Sequence, residues 1–290
     1  MLTALGHIQL LRFVGPAVVV FGVAPYYLIT WLAWRLASLP LSRRVFERGD
    51  EIMYDSYQSL ICFFFETLTG AEVILYGDQI PWNKQENVIV ICNHQSSVDW
   101  IITDFLAVRQ GSLGRLRYIL KNGLKYFPLY GFYFAQASFE VLSSDYLDAV
   151  YDFTITYSMA NENHFPRRPA PTMSDFLISK GQQVHVYCRR HEARDLPKDS
   201  EGRKSWIHQT FAEKDRILNK FYQEDGKMPG VPRRRRLPWT RTFPYFVFWM
   251  ATLLPFVMTK WGRSAYWKMW LVTSFGSVSY MMFLFGKVQR

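Results

Sequence analysis

The chain has 290 residues and a formal net charge of +10, with 49% hydrophobic and 17% aromatic residues. This length allows a full hydrophobic core, and a mean hydropathy of −0.07 means that the apolar residues are concentrated in segments. The positive charge predicts anionic partners, such as lipid headgroups, a phosphorylated ligand or nucleic acid. Three scattered cysteines in apolar runs exclude the class of disulfide-stapled secreted domains and indicate reduced thiols facing the cytosol.

The first long segment, Phe13–Trp34, carries no charged residue and is long enough to span a bilayer, which requires about 20 apolar residues. No small-residue cleavage site follows it, so we expect a membrane anchor and not a removable signal peptide. A buried core helix is the alternative. Only Arg12 precedes the segment, and the positive-inside rule places most of the chain in the cytosol because four arginines follow: Arg35, Arg43, Arg44 and Arg48.

The next part of the chain predicts an α/β domain. Tyr57–Leu68 is a shorter apolar segment that we expect to pack on the domain or to lie in the membrane interface. Val73–Tyr76 and Val88–Cys92 are apolar runs typical of buried strands. Arg117–Lys121 is the next predicted strand, after a helix with one apolar face formed by Ile101, Ile102, Phe105 and Leu106. Strand, helix and strand in this length indicate a parallel crossover, so the predicted fold is a mixed, mostly parallel sheet with flanking helices.

A polar loop containing a histidine directly follows the strand Val88–Cys92. On one continuous helix, a spacing of five would rotate His94 and Asp99 apart, so we place His94 in the loop and Asp99 in the first helical turn. Ser96 or Ser97 is the predicted helix cap. The positive end of the helix favours an ionised Asp99, which would fix the tautomer of His94 and make it a general base. An ordinary solvated turn is the alternative, but sites of open α/β sheets lie at this position.

The string Asn93-His94-x-x-x-x-Asp99 resembles the first motif of the glycerolipid acyltransferase family. Longer strings carry the likeness further: Asn93–Trp100, Lys125–Gly131 and Tyr146–Asp152. The resemblance implies that His94 accepts the proton of an acceptor hydroxyl, that Asp99 orients His94 and that Asn93 supports the motif. It also implies acyl-CoA as co-substrate, lysophosphatidic acid as acceptor, and no cofactor or metal. Neither serine of the loop lies in a Gly-x-Ser-x-Gly turn, which argues against a serine hydrolase.

Two further motifs of that family are not found in this sequence. In the family, a strand similar to Phe132–Gln136 leads into Gly-x-x-Phe/Tyr-x-x-Arg and later into Phe-Pro-Glu-Gly-Thr-Arg, which are associated with phosphate and acceptor binding. Here Gln136–Phe139 runs almost directly into Tyr146–Asp148, so we expect a domain shortened near 136–145, with an open sheet edge and lower stability. The nearest string, Glu201–Arg203, has no Phe-Pro before it and is predicted to be a solvated helix start. The residues that bind substrate stay unknown.

Two more strands, Phe153–Tyr157 and Gln183–Cys188, are predicted from their alternating pattern. His185, Cys188 and His191 do not indicate a metal site. Alternation places the first two on opposite faces of the strand, and the spacing fits no familiar zinc pattern. An amphipathic surface helix follows, with apolar residues at helical intervals: Trp206, Phe211, Ile217, Leu218, Phe221 and Tyr222.

The C-terminal part begins with a basic linker that contains Arg233–Arg236. Four arginines are compatible with a nuclear address or a nucleic-acid patch, but their place before the uncharged run Thr242–Thr259 favours a cytosolic segment drawn to anionic lipid. Met269–Gly286 is a second uncharged run. The two runs predict a membrane hairpin with a basic turn formed by Lys260, Arg263 and Lys268, and the prolines Pro244 and Pro255 leave a shallow re-entrant arrangement open.

These features predict three regions: an N-terminal membrane anchor over 1–55, a shortened acyltransferase-like domain over 56–225, and a basic linker with a membrane hairpin over 226–290. We expect an integral membrane protein of the endoplasmic reticulum, with the nuclear envelope and mitochondrial outer membrane as alternatives, whose domain faces the cytosol. Membrane lipids are expected partners and nucleic acid is not. Two functions stay open: an acyl-CoA-dependent 1-acylglycerol-3-phosphate O-acyltransferase that makes phosphatidic acid, and a catalytically silent, membrane-anchored binding or pairing partner.

Overall fold

The computed structural model describes residues 2–119, 147–158 and 169–288. Contacts group these residues into two compact units. One unit is built around a β-sheet and contains residues 2–13, 62–111, 147–158 and 169–239. The other is helical and contains residues 14–61, 112–119 and 240–288. It thus combines most of the predicted anchor, the C-terminal helices and two short parts of the predicted acyltransferase-like domain, 56–61 and 112–119. The predictions made on Lys125–Gly131, on Phe132–Gln136 and on the junction near 136–145 lie outside the described residues.

The described residues form helices over the following ranges: α1 Leu2–Ala37, α2 Arg43–Cys62, α3 Asp99–Gln110, α4 Met173–Ile178, α5 Ser200–Lys220, α6 Phe243–Met258 and α7 Lys260–Val288. Two π-helical segments extend α2 and α5, over Phe63–Leu68 and Phe221–Asp225. The predicted helix after Asp99 and the predicted surface helix are confirmed. The helix start at Glu201–Arg203 is also confirmed, because the side chain of Asp199 caps α5 by accepting from the Gly202 backbone N–H at 2.7 Å.

The sheet has five strands in the order β2-β3-β4-β1-β5. Their ranges are β1 Glu72–Gly77, β2 Val88–Cys92, β3 Ala149–Tyr157, β4 Gln183–Glu192 and β5 Arg233–Arg234. The pairs β2–β3 and β1–β4 are parallel, whereas β3–β4 and β1–β5 are antiparallel. The predicted α/β class with a mixed sheet is therefore confirmed, but among the described strands parallel pairs do not outnumber antiparallel ones. The carboxyl ends of β2 and β3 lie at the same edge.

Strand β3 is the centre of this unit, and all nine of its residues are buried. Side chains alternate between the two faces of a strand, so Tyr157 points toward α3 while Asp152 points toward α5. On the α3 face, the Phe176 ring of α4 lies 6.5 Å from Phe105 and 6.2 Å from Phe65. The α5 face has an apolar cluster that comprises Ile74, Tyr76, Ile217, Phe221 and Met228. Burial on both faces explains why β3 is uniformly inaccessible although its sequence alternates.

The prediction of a strand over Arg117–Lys121 is wrong where it can be checked, because residues 117–119 are not in a strand. The last two residues of that range lie outside the described part of the chain. Arg117 instead belongs to the helical unit, where its guanidinium pairs with Asp50 at 2.6 Å and lies 4.9 Å above the Tyr54 ring. The ion pair and the ring contact outweigh the local strand pattern. The strand that completes the parallel crossover from β2 is β3.

The helical unit has an aromatic core shared by α1, α2 and α6. The rings of Tyr27 and Tyr57 stack at 4.5 Å, and Trp249 meets both edge-on at 6.1 and 6.2 Å. The Trp249 indole N–H donates to the Ser56 carbonyl at 3.0 Å, and the Tyr57 hydroxyl donates to the Val20 carbonyl at 3.0 Å. These polar contacts satisfy the polar ends of the buried rings, so the packing of the three helices is specific.

By length and composition, the helix over His7–Ala37 could cross a membrane. Phe243–Met258 and Lys260–Gly276 pass the same test only as a pair, and their axes meet at 109°. The predicted basic turn between them is wrong, because Lys260 and the basic residues after it lie inside α7. The connection is a single residue, Thr259, whose hydroxyl accepts from the Gly262 backbone N–H at 2.8 Å and so starts α7 at once.

Candidate active site

The structure brings His94 and Asp99 together at the carboxyl end of β2. The His94 Nδ1 lies 3.0 Å from Asp99 Oδ2, although five residues separate them in the chain. The His94 side chain is 82% exposed, whereas that of Asp99 is 3% exposed. A buried acid that holds an accessible imidazole is the arrangement that a general base requires. The catalytic roles of the two residues stay predictions.

Asp99 accepts hydrogen bonds on both carboxylate oxygens. Besides His94, its Oδ2 accepts from the backbone N–H groups of Gln95 at 2.6 Å and Ser96 at 2.8 Å, and its Oδ1 accepts from the Tyr157 hydroxyl at 2.5 Å. An ionised carboxylate has no proton to donate and only accepts hydrogen bonds. Beside an ionised Asp99, the Nδ1 of His94 is therefore the donor, and Nε2 of a neutral ring is the nitrogen without a proton.

The predicted serine cap of α3 is wrong. The helix begins at Asp99, and the residue before it, Val98, makes no side-chain cap. Ser96 acts one turn earlier: its Oγ accepts from the Val98 backbone N–H at 3.0 Å and donates to the Pro171 carbonyl. Ser97 Oγ accepts from the Met173 backbone N–H at 3.2 Å. The two serines thus fix the loop, while the Asp99 carboxylate accepts from the N–H groups of Gln95 and Ser96, which lie in the loop before the helix.

Asn93 fastens the loop to the neighbouring strand. Its side-chain amide donates to the Ile155 carbonyl at 3.0 Å and accepts from the Ile155 N–H at 2.7 Å. The Asn93 side chain therefore continues the parallel β2–β3 pairing one residue beyond the end of β2. Gln95 also donates to the Ile155 carbonyl, at 2.6 Å. Asn93, predicted only as motif support, thus has a clear physical role, because it fixes the residue before His94.

A buried ionic cluster lies beneath the same strand ends, on the α5 face. The Lys214 ammonium, which is fully buried, pairs with Asp152 and donates to the carbonyls of Phe153 at 2.7 Å and Ile91 at 3.2 Å. Asp152 is also bonded by Arg189 at 2.8 Å. Burial lowers the pKa of Lys214, and the Asp152 carboxylate opposes this shift. The cluster joins α5 to the backbone of β2 and β3 just before the site.

The three residues considered for a metal site have other contacts. His185 Nδ1 is 2.9 Å from the Tyr76 hydroxyl and its Nε2 is 2.7 Å from the Ser158 hydroxyl. The ring of His191 lies edge-on to Trp206 at 5.3 Å, and Cys188 is buried. Over residues 2–119, 147–158 and 169–288, no group of three or more histidine, cysteine, aspartate or glutamate residues could hold a metal ion.

Sequence reasoning missed Tyr157 and Lys214 as neighbours of the site. Tyr157 is 58 residues from Asp99 along the chain, and no local spacing links them. Lys214 lies among charged residues of an amphipathic helix, where a solvated lysine is the ordinary expectation. The sequence indicates only that Phe153–Tyr157 is a strand. Its pairing with β2 in the structure brings the end of this strand beside the end of β2.

Comparison with known proteins agrees with the geometry. The model of the Acyltransferase family matches residues 73–163, which include the loop with His94 and Asp99. The Acyltransferase C-terminus model matches residues 175–250. The mouse protein named 1-acyl-sn-glycerol-3-phosphate acyltransferase epsilon is 31% identical, over 91% of this chain and 94% of its own length. The chain belongs to the glycerolipid acyltransferase family.

Other relatives in this family are more distant. The Arabidopsis thaliana protein named probable 1-acyl-sn-glycerol-3-phosphate acyltransferase 5 is 25% identical over 78% of this chain and 77% of its own. The mouse 1-acyl-sn-glycerol-3-phosphate acyltransferase delta is 23% identical over 83% and 79%. The alignment to mouse epsilon runs over 347 positions, more than the 290 residues of this chain, so part of that relative has no counterpart here. No solved structure matches the chain.

Proposed function

We propose that this chain transfers an acyl group from acyl-CoA to the free hydroxyl of 1-acyl-sn-glycerol 3-phosphate, which gives phosphatidic acid. The observation that carries the proposal is the His94–Asp99 pair, 3.0 Å apart, with an exposed imidazole at the end of β2 in a chain of this family. The names of the relatives support the acceptor. Acyl-CoA is the donor that we propose because a thioester is already activated and needs no covalent enzyme intermediate.

In the proposed reaction, His94 Nε2 takes the proton of the acceptor hydroxyl while the hydroxyl oxygen attacks the thioester carbonyl. Asp99 stabilises the imidazolium that forms, because its buried carboxylate lies beside the ring. The tetrahedral intermediate then collapses, the carbon–sulfur bond breaks, and the imidazolium returns its proton to the leaving CoA thiolate. The products are phosphatidic acid and CoA, and His94 ends in its starting state.

We also propose that the chain is an integral membrane protein of the endoplasmic reticulum, with the part of the sheet unit that follows the first apolar helix, residues 62–111, 147–158 and 169–239, in the cytosol. The apolar helix over His7–Ala37 and the exposed apolar residues of α6 and α7 support a membrane location, and the arginines after α1 support the orientation. Resistance to carbonate extraction, together with protease access to a tag placed after Gly226 in sealed microsomes, tests both statements. Release by carbonate would contradict the first, and a protected tag the second.

Purified chain in detergent, incubated with labelled acyl-CoA, tests the activity. We expect labelled phosphatidic acid with lysophosphatidic acid as acceptor, and much less product with monoacylglycerol, which lacks the phosphate. The catalytically silent partner is the second candidate, since the family's second and third motifs are not found in the sequence. Absence of any labelled lipid product, from a chain that is folded by circular dichroism, would favour that candidate over the enzyme.

A further inference from the structure

The phenol of Tyr157, which lies outside the predicted dyad, forms a side-chain hydrogen bond to the Asp99 carboxylate. Its hydroxyl donates to Oδ1 at 2.5 Å, whereas the three other donors all reach Oδ2. Tyr157 and Asp99 are 1% and 2% exposed, so water does not compete for this contact. The backbone N–H of Tyr157 donates to the Tyr222 hydroxyl at 3.1 Å, which holds the end of β3 in place. The hydrogen bond therefore joins two buried, well-fixed groups.

We propose that Tyr157 is a positioning residue for the proposed acyl transfer: its hydroxyl turns the Asp99 carboxylate toward His94 and takes up part of the negative charge of that carboxylate. This inference rests on the proposed function. A carboxylate without the Oδ1 donor would attract a proton on His94 more strongly, and a protonated imidazole cannot act as a base. The hydrogen bond thus has two effects: it orients the Asp99 carboxylate, and it reduces the attraction of that carboxylate for a proton on His94.

The protonation state of Tyr157 supports this role. Burial raises the pKa of Tyr157 above its usual value, and the Asp99 carboxylate raises it further. The phenol therefore keeps its proton, and remains a donor, at pH values where an ordinary tyrosine would begin to ionise. A serine or threonine at this position would be too short to reach from the strand, and a histidine could lose its donor as the pH changes.

The other titratable groups near the pair have fixed partners. From β2, Cys92 is uncharged, since burial and then Asp99 raise the pKa of its thiol. From α5 and β4, Lys214 and Arg189 both pair with Asp152 of β3, on the opposite face of the sheet. The π-helical segment contributes the Tyr222 hydroxyl. Among the residues that the structure describes, Asp99 is therefore the charged group next to His94 whose effect on the imidazole depends on the Tyr157 hydrogen bond.

A tyrosine on the same strand provides a matched control. Tyr151 points to the same face of β3, is 2% exposed and donates to Glu86 at 2.6 Å, so it also binds a buried carboxylate. Glu86 is paired with Arg190 at 2.9 Å and does not contact His94. Tyr151→Phe thus removes the same kind of hydrogen bond from the same strand, but from a carboxylate that is bonded to Arg190 instead of His94.

The test is the pKa of His94, measured by NMR on chain labelled at histidine and assigned with His94→Ala. We expect Tyr157→Phe to raise this pKa by about one unit and Tyr151→Phe to leave it unchanged. In the acyl-transfer assay, the same shift makes Tyr157→Phe about tenfold slower at pH values below the His94 pKa and nearly equal to wild type well above it. A purely structural role would lower the rate equally at every pH.

An unchanged or lowered His94 pKa in Tyr157→Phe would overturn the inference, as would an equal rise in Tyr151→Phe. If Tyr157→Phe does not fold, 3,5-difluorotyrosine at residue 157 replaces it. This phenol donates more strongly, so the His94 pKa should fall, and a rise would contradict the inference. The NMR measurement needs no turnover. A wild-type chain without acyltransferase activity would therefore refute the proposed function, while the titration would still decide the role of Tyr157.

Discussion

The Asp99→Asn substitution separates the charge of Asp99 from its hydrogen bonds. The amide oxygen can replace Oδ2 and keep the donors from the loop and from His94. The amide NH2 then replaces Oδ1, where the Tyr157 hydroxyl can accept a hydrogen bond instead of donating one. We therefore expect the fold to lose only about 1 kcal/mol, the net value of an ordinary hydrogen bond.

The rate should fall much more than the stability. In Asp99→Asn, the imidazolium formed on His94 loses an ionic partner that lies 3.0 Å away. A hydrogen bond to a charged group contributes about 1.5–3 kcal/mol, and each 1.36 kcal/mol is tenfold in rate, so kcat should fall by roughly 10- to 10²-fold. Release of CoA thiol measures the rate, and chemical unfolding in detergent measures the stability.

Asp99→Ala is the comparison variant for this test. It leaves the buried Tyr157 hydroxyl and Ser96 N–H without an acceptor, at about 1–3 kcal/mol each, so it should destabilise the fold clearly. An Asp99→Asn chain that is folded and turns over at the wild-type rate would refute the role of the Asp99 charge. A strongly destabilised Asp99→Asn chain would refute the assignment of its hydrogen bonds.

Glu66→Gln removes the counter-charge of Arg109, whose side chain is 2% exposed, and should destabilise the fold by about 3–5 kcal/mol in chemical unfolding. Glu66→Leu combined with Arg109→Leu should cost clearly less, and an equal cost would contradict the ion-pair explanation. Burial, and to a lesser extent Arg234, lowers the pKa of His185 from 6.5 to about 4, so the unfolded chain binds a proton below pH 6.5 that the folded chain does not. The free energy of unfolding should therefore fall by about 3 kcal/mol between pH 6.5 and 4. In His185→Gln the decrease over the same pH range should be smaller. An identical pH slope in that variant would exclude His185 as the cause.

The parts of the fold that the sequence predicts are those specified by local pattern. Strands β1 and β2 follow from apolar runs, and β3 and β4 follow from alternating patterns. His94 and Asp99 follow from one strand–loop–helix segment in which both residues are near each other in the chain. Arg117 shows the limit of this reasoning, since its strand-like pattern yields to an ion pair with Asp50. Tyr157 shows another, because its contact with Asp99 depends on sheet register.

Buried charges are the second class of feature that local pattern does not reveal. Lys214 lies on a helix rich in charged residues, and its sequence environment predicts a solvated side chain. In the structure it is fully buried because Asp152 of β3 and two backbone carbonyls satisfy all three of its donors. Only the tertiary packing of α5 on β3 creates this environment, so pattern analysis of either element alone could not find it.

The most direct measurement is the kcat of His94→Ala relative to that of His208→Ala. Both substitutions remove an exposed imidazole, but His208 lies on the surface of α5 and makes no contribution to the proposed chemistry. We predict that His94→Ala loses roughly 10²-fold or more in kcat while His208→Ala keeps the wild-type value. Equal activity of the two variants would contradict the assignment of His94 as the base.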